Sequence, residues 1–498
     1  MSLTVDLTAP NGTKYTQPIG LFINNEWVPS SNNEKLTSIN PTDESEIVSV
    51  YAAGPEDVDK AVAAAKVAFK PGSPWRKMAP EERGALLYRL GDLITKNQAL
   101  LATIETWDNG KPYRAAHDED VAEVAKCIKY YAGWADKVHG QVIDTGPAKL
   151  AYTLREPIGV CGQIIPWNYP LAMAAWKIGP AIACGNVVIL KAAEQTPLSI
   201  LVLANLIKEA GFPPGVINIL NGYGKVAGNA IVQHPGINKI AFTGSTATAK
   251  EILKGAAPTM KSVTLETGGK SPLIVFDDCD LDQAVKWAHM GIMSNAGQIC
   301  TATSRVLVQK GIYEKFVEGF KATVKERSTV GDPFDEKTFQ GPQVSKAQFD
   351  RVLLYARAGE EEGATLTMGG HNHSDKGFFI QPTIFTDVKP TMRIFQEEVF
   401  GPFVVLVPFE KEEDAINLAN DSTYGLGSAI FTQNLTKAHR VAGRIESGTV
   451  WINSSQDSDY HIPFGGVKYS GIGRELGEEG LHAYTTVKSV HVNMGTEL

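Results

Sequence analysis

The chain has 498 residues, 43% of them hydrophobic and 20% charged, which is the balance of a folded protein too long for one core, so two or three domains are expected. A formal net charge of −8 excludes a nucleic-acid or anionic-membrane partner, because both demand a basic face. The longest apolar runs, such as 187–190 and 200–207, fall far short of the ~20 residues that a bilayer span requires.

The opening segment, MSLTVDLTAPNGTKYTQPIG, has no cationic start followed by an apolar run, contains no Arg and carries an Asp, so neither a secretory nor a mitochondrial leader is expected. The first 135 or so residues begin with short polar turns and then read as helices, with apolar residues at helical spacing over 58–69, 80–106 and 118–139. From Gly159 the text alternates strictly. Apolar β-rich runs at 159–165, 187–190, 216–220, 239–243 and 262–265 are separated by helical stretches at 171–184, 198–210, 224–233 and 246–254. Thr196 followed by Pro197 is a good helix start, and GFPPG at 211–215 is a stop. Continuous apolar strands joined by helices predict a parallel sheet covered on both faces, with ligands at the carboxyl ends of its strands.

A second α/β series begins at Ser271, with strands at 272–276, 305–309, 378–385, 404–409, 428–431 and 449–453 and helices at 281–294, 313–326, 414–420 and 435–444. The turnover between the two halves falls at 266–270. Segments 150–155 and 486–492 each read as a lone strand outside the neighbouring domain, and an exposed edge of that kind tends to be paired with another chain, so an oligomer is expected.

Two glycine loops between a strand and a helix could hold a dinucleotide pyrophosphate. Gly222, Gly224 and Gly228 form one, although the last glycine is one place late for GxGxxG. Phe242, Gly244 and Ser245 form the other, where a helix N-terminus offers free N–H groups and the positive end of its dipole. The strand ending in Lys191, with Glu194 three residues on, can hydrogen-bond ribose hydroxyls at the same sheet edge. A carboxylate at Glu194 repels a 2′-phosphate and therefore favours NAD over NADP. Each of these signals also reads as an ordinary turn or solvated loop.

Five cysteines with no CxxC pair suggest free thiols in a reducing compartment, and the cytosol is the expected one. Cys127, Cys161, Cys184 and Cys279 sit among apolar residues or beside acids, which keeps a thiol inert. Cys300 follows NAGQI at the end of a helix and precedes Thr301, a polar setting that leaves it open between a structural thiol and a nucleophile. None of the ten histidines lies near a motif that suits it as the base for that thiol, and no HExxH or cysteine cluster indicates a metal. Glu266 instead ends an apolar strand beside two glycines, where nothing structural calls for an acid. Asn168, in a PWNYP segment after another strand, can present its amide to an oxyanion.

Seven ordered segments share a pattern: PWNYP (166–170), KAAEQTP (191–197), FTGST (242–246), ETGGK (266–270), GQIC (297–300), EVFGP (398–402), and PFGGVK (463–468) with SGIGR (470–474). With them the chain resembles the NAD(P)-dependent aldehyde dehydrogenase superfamily over nearly its whole length. The resemblance implies two parallel-sheet α/β domains: a Rossmann-like cofactor domain over 1–135 and 158–267 and a catalytic domain over 268–470. A small β element, 136–157 with 484–498, is implied to assemble a homotetramer. It implies that Cys300 attacks the aldehyde, that Asn168 and the Cys300 N–H hold the oxyanion, that Glu266 activates water against a thioester, and that Lys177 assists. Lys191 and Glu194 are implied at the adenosine ribose, Ser245 at the pyrophosphate and Glu398 at the nicotinamide ribose of NAD. Ile164, Pro166, Trp167, Gly224, Gly228, Phe242, Gly244 and Phe400 complete the implied cofactor contacts; NADP is the weaker alternative.

The chain departs from relatives at Thr267, Ala249 and Met293, where they usually carry Leu, Gly and Phe. Ser294 and Ser458 stand where narrow pockets often hold Phe, while Tyr169, Trp176 and Phe464 suggest an aromatic-walled tunnel of the kind typical of apolar aldehydes, the substrate being a small-molecule aldehyde. Two rival functions are a thiol acyl-transferase or hydrolase without redox chemistry, which leaves Lys191, Glu194 and Glu398 idle, and a structural protein descended from such an enzyme. The second is marked by loss of Cys300, Glu266 or Asn168, and all three are present.

Overall fold

The computed structural model describes residues 3–498. Its first large sheet is built on five parallel strands, in the order Ser262–Glu266, Lys239–Thr243, Val160–Ile164, Val187–Lys191 and Ile217–Leu220. The three central strands are buried at every position, as apolar runs between helical layers demand. Leu198–Ala210 covers one stretch, and Gly211, at φ 91°, ends it in the left-handed conformation that glycine adopts without strain. Ser245 caps the helix Thr246–Ala256 by accepting the Thr248 N–H at 3.2 Å. Both sheet edges are antiparallel additions, Leu21–Ile23 with Glu26–Val28 on one side and Gly471–Ile472 on the other.

The second sheet has seven strands, in the order Thr365–Met368, Thr383–Thr386, Phe403–Phe409, Arg305–Gln309, Pro272–Val275, Gly427–Phe431 and Thr449–Ile452; only the first pair is antiparallel. The chain passes from Glu266, the last residue of a strand in one sheet, to Pro272, the first of a strand in the other. It returns later, when Gly471 pairs with Glu266. The link between the two sheets is thus the segment that carries the proposed base.

Several expectations need correction. The expected helix over 80–106 breaks into Pro80–Lys96 and Gln98–Asn109, because the Asn97 side chain donates to the Leu93 carbonyl and its backbone leaves the helical region. The helix expected over 118–139 opens with a π-helical turn, Ala116–Val121, and its α-helical part is Ala122–Ala132, followed by Gly133. The N-terminal polar turns include strands such as Thr4–Thr8, Lys14–Pro18, Lys35–Ile39 and Glu46–Tyr51. The strand expected from 378 begins only at Thr383, since the backbone before it bonds to loops at Pro41, Gln343 and His373. Lys346–Glu361 forms an unanticipated helix, capped by Ser345. Finally, the two supposedly lone strands pair with each other: Lys149–Pro157 lies antiparallel to Thr485–Asn493, with Val142–Asp144 on its far side. Each was the other's missing partner.

Candidate active site

A cavity of about 460 Å³ lies at the carboxyl ends of the first sheet and reaches the second. Cys300, Glu266 and Asn168 all line it. Cys300 is presented by a sharp reversal after the helix Leu281–Met293, in which Asn295, Ala296 and Gly297 take positive φ in succession. Gly297 is required there, for a Cβ would stand 1.8 Å from the Gly401 carbonyl oxygen. The Asn168 Nδ2 donates to the Gln298 carbonyl at 3.0 Å, which ties the expected oxyanion donor to the loop that carries Cys300. The polar setting expected for the thiol is not what surrounds it. Burial first, and then the Glu266 and Glu398 carboxyls, push Cys300 up to about 12.

Glu266 is buried at 2% exposure, and neither of its carboxyl oxygens has a hydrogen-bond partner among the described residues. Burial holds its carboxyl well above the usual range; Glu475 adds to this, while Lys177 and Arg474 oppose it. Lys177 does not line the cavity. It stands one layer behind, wholly buried on the helix Pro170–Ala183, 2.8 Å from Glu475 Oε1, and it donates to Thr243 Oγ1 at 2.6 Å. Glu475 and Thr243 both reach the cavity wall. Sequence reasoning passed over Glu475, although it directly follows the SGIGR segment; its meaning depends on Lys177, 298 residues earlier.

On the cofactor side, Pro166, Trp167, Gly244, Ser245, Glu398 and Phe400 share the cavity wall. Glu398 accepts the Gly269 N–H at 3.0 Å, and burial pushes its carboxyl up to about 7. Gly268 leaves room for it, since a Cβ there would meet a Glu398 oxygen at 2.1 Å. Phe400 sits edge-on to Trp167, with ring centroids 5.4 Å apart. Ile164, Phe242, Lys191, Glu194, Gly224 and Gly228 lie outside this lining, at or just beyond the carboxyl ends of the parallel strands. The Lys191 Nζ, buried, lies 3.4 Å from a Glu194 oxygen.

On the other side, Tyr169, Trp176, Phe464, Ser294 and Ser458 line the cavity, with Trp176 and Phe464 packed edge to face at 5.1 Å. Three acids not anticipated from the sequence, Glu119, Asp120 and Glu123, line it as well. Of the departures, Ala249 and Met293 are buried without disturbance to their helices, and Thr267 donates its hydroxyl to the Tyr469 carbonyl. Among the described residues no cluster of His, Cys, Asp or Glu could hold a metal ion, and no helix is long and apolar enough to cross a membrane.

A thiol, a buried acid and an amide donor meet in one cavity between two largely parallel sheets, an arrangement that suits an α/β enzyme working through a covalent intermediate. The chain belongs to the Aldehyde dehydrogenase family, whose profile matches residues 27–490. It is 54% identical to an aldehyde dehydrogenase of Aspergillus niger, over 100% of this chain and 99% of that one. It is 51% identical to a mitochondrial aldehyde dehydrogenase of Rattus norvegicus, over 99% and 95%. Among solved structures, the NAD+ complex of a Bacillus cereus aldehyde dehydrogenase superposes with a TM-score of 0.94 at 48% identity, over 96% of this chain and 97% of that one.

Proposed function

We propose that the chain oxidises an aldehyde to its carboxylic acid with NAD, through a covalent intermediate on Cys300. The observation that carries this is the meeting of Cys300, Asn168 and an unpartnered, buried Glu266 on the wall of one cavity. Cys300 gives up its thiol proton to solvent, Sγ adds to the aldehyde carbon, and the carbonyl oxygen becomes an anion held by the Asn168 Nδ2 and the Cys300 N–H. An aldehyde cannot release hydride until its carbon is tetrahedral, and this addition makes it so. NAD, when bound, supplies the hydride acceptor. The product on the enzyme is a thioester, and Glu266 takes a proton from the water that hydrolyses it. A carboxyl held well above its usual range is the stronger base once ionised. Lys177, paired with Glu475, holds charge and proton balance behind it.

The chain's own residues suit NAD. The N-terminus of Thr246–Ala256, with Gly244 and Ser245 on the cavity wall, suits a pyrophosphate. Lys191 with Glu194 offers a donor and an acceptor to the adenosine ribose, and the Glu194 charge disfavours a 2′-phosphate. Glu398 would take the nicotinamide ribose. These residues are idle in a redox-free hydrolase or a structural protein, which counts against both rivals.

The outer edge of Thr485–Asn493, unpaired and mostly exposed, supports an oligomer, and the homotetramer is what the family resemblance implies. Five unpaired thiols fit a reducing compartment, of which the cytosol is the default, although one relative is a mitochondrial enzyme.

Rapid mixing tests the reading. Cys300→Ser should form no NADH, whereas Glu266→Gln should give a burst of NADH with little steady turnover. Substantial steady turnover by Cys300→Ser, with the other four cysteines intact, would overturn it.

A further inference from the structure

A single helix holds both loops that build the site. Gln98–Asn109 is buried over its C-terminal half, and Glu105 on it is 1% exposed. The Glu105 Oε1 accepts the Leu171 N–H at 3.0 Å and the Ser199 hydroxyl at 2.9 Å. Leu171 is in the first turn of Pro170–Ala183, which follows the loop that carries Asn168. Ser199 is in the first turn of Leu198–Ala210, which follows the loop that carries Glu194. Neither helix is capped by the side chain just before it, so their first N–H groups need partners from elsewhere. The Leu171 N–H finds Glu105, and the Leu198 N–H finds Asp108 Oδ2 at 2.9 Å.

The same helix also reaches the loops directly. Asn109 Nδ2 donates to the Trp167 carbonyl at 2.6 Å, and Thr196 Oγ1, from the cofactor-side loop, donates to that carbonyl at 3.5 Å. Asn168 therefore lies between two points, Trp167 and Leu171, that are held by residues one helical turn apart on a single element. Burial pushes the Glu105 carboxyl up to about 7, against Lys111 and both donors, and either protonation state keeps Oε1 as an acceptor. We propose that Glu105 is a positioning residue, one oxygen that fixes the Asn168 loop against the loop of Lys191 and Glu194 and so sets the oxyanion donor relative to the cofactor. The assignment rests on the aldehyde-oxidising reading given above and adds to it a residue that does not line the cavity.

The test measures NAD affinity by calorimetry and, at saturating NAD, the rate of the first turnover to NADH by stopped flow. Ser199→Ala cuts only the bond on the cofactor side. NAD should then bind about fivefold more weakly while the first turnover keeps its rate. Glu105→Ala cuts both bonds, so a similar loss of affinity should come with a first turnover about tenfold slower. Glu105→Gln keeps an acceptor oxygen in place and should recover most of both. A dissociation constant and a first-order rate do not depend on how much of a preparation is folded, so a merely less stable protein moves neither. Should Glu105→Ala fail to fold, Ser199→Ala still decides. Wild-type affinity or a slowed first turnover in Ser199→Ala, wild-type values in Glu105→Ala, or no recovery in Glu105→Gln overturns the assignment and leaves the enzyme reading intact. A wild-type protein that forms no NADH from acetaldehyde, hexanal or benzaldehyde overturns both.

Discussion

Lys177→Met probes the most deeply buried charges behind the site. The ammonium lies 2.8 Å from one Glu475 oxygen and 3.0 Å from the other, with the two side chains 0% and 3% exposed, and it also donates to Thr243. Methionine keeps the length and removes the charge, leaving Glu475 as a buried anion without a cation in contact. Breaking such a pair costs about 3–5 kcal/mol, of which the lost Thr243 hydrogen bond is ~1 kcal/mol. Removing both charges, in Lys177→Met/Glu475→Gln, should recover most of that loss, so urea midpoints of the two single variants and the double should report a coupling of about 2–3 kcal/mol.

The same three proteins make a second reading through Glu266, whose ionised form is the active one, so the rate falls as pH drops through its pKa. Glu475 raises that pKa more than Lys177 lowers it. The acid limb of kcat should therefore move to higher pH in Lys177→Met, to lower pH in Glu475→Gln, and to slightly lower pH in the double variant. Acid limbs that move the same way in both single variants, or a coupling below about 0.5 kcal/mol, would refute the view that this pair tunes the base.

Glu194→Gln should narrow the preference for NAD by raising kcat/KM with NADP; an unchanged ratio places the carboxylate away from the ribose. Ser458→Phe should lower kcat/KM for bulky aldehydes more than for acetaldehyde, by about 1–3 kcal/mol, and an equal effect on both removes Ser458 from the substrate path. Val487→Glu, at a position 55% exposed on the edge strand, should shift sedimentation towards smaller species, and an unchanged sedimentation coefficient excludes that edge from the interface.

The parallel strands were readable because burial on both faces leaves nearly unbroken apolar runs. Lys239–Thr243 and Arg305–Gln309 fall where the pattern puts them. Lys346–Glu361 was not readable, since charged and apolar residues mix along it and only the cap at Ser345 marks its start. The pairing of Lys149–Pro157 with Thr485–Asn493 joins segments more than 300 residues apart, and register across such a distance leaves no local mark. The site divides in the same way. Glu266 ends a strand, and Asn168 and Cys300 stand in the loops just after an element, each near glycine, proline or amide residues, so local context sets them apart. Glu475 gains its meaning only from Lys177, and Glu123 only from the cavity that the fold brings against it.

The raised thiol and carboxyls have a common origin that bears on how the site waits for its substrates. Cys300, Glu266 and Glu398 line one cavity, and the two carboxyls press the thiol towards its neutral form after burial has done the most. Glu266 is held up by burial and Glu475, and Glu398 by burial. Neutral thiols oxidise slowly, so a site poised this way protects its nucleophile while idle. A positive charge entering the cavity favours the ionised form of all three groups at once. The oxidised nicotinamide ring carries such a charge and loses it on accepting hydride. Thiol and base would therefore be most reactive with the hydride acceptor in place.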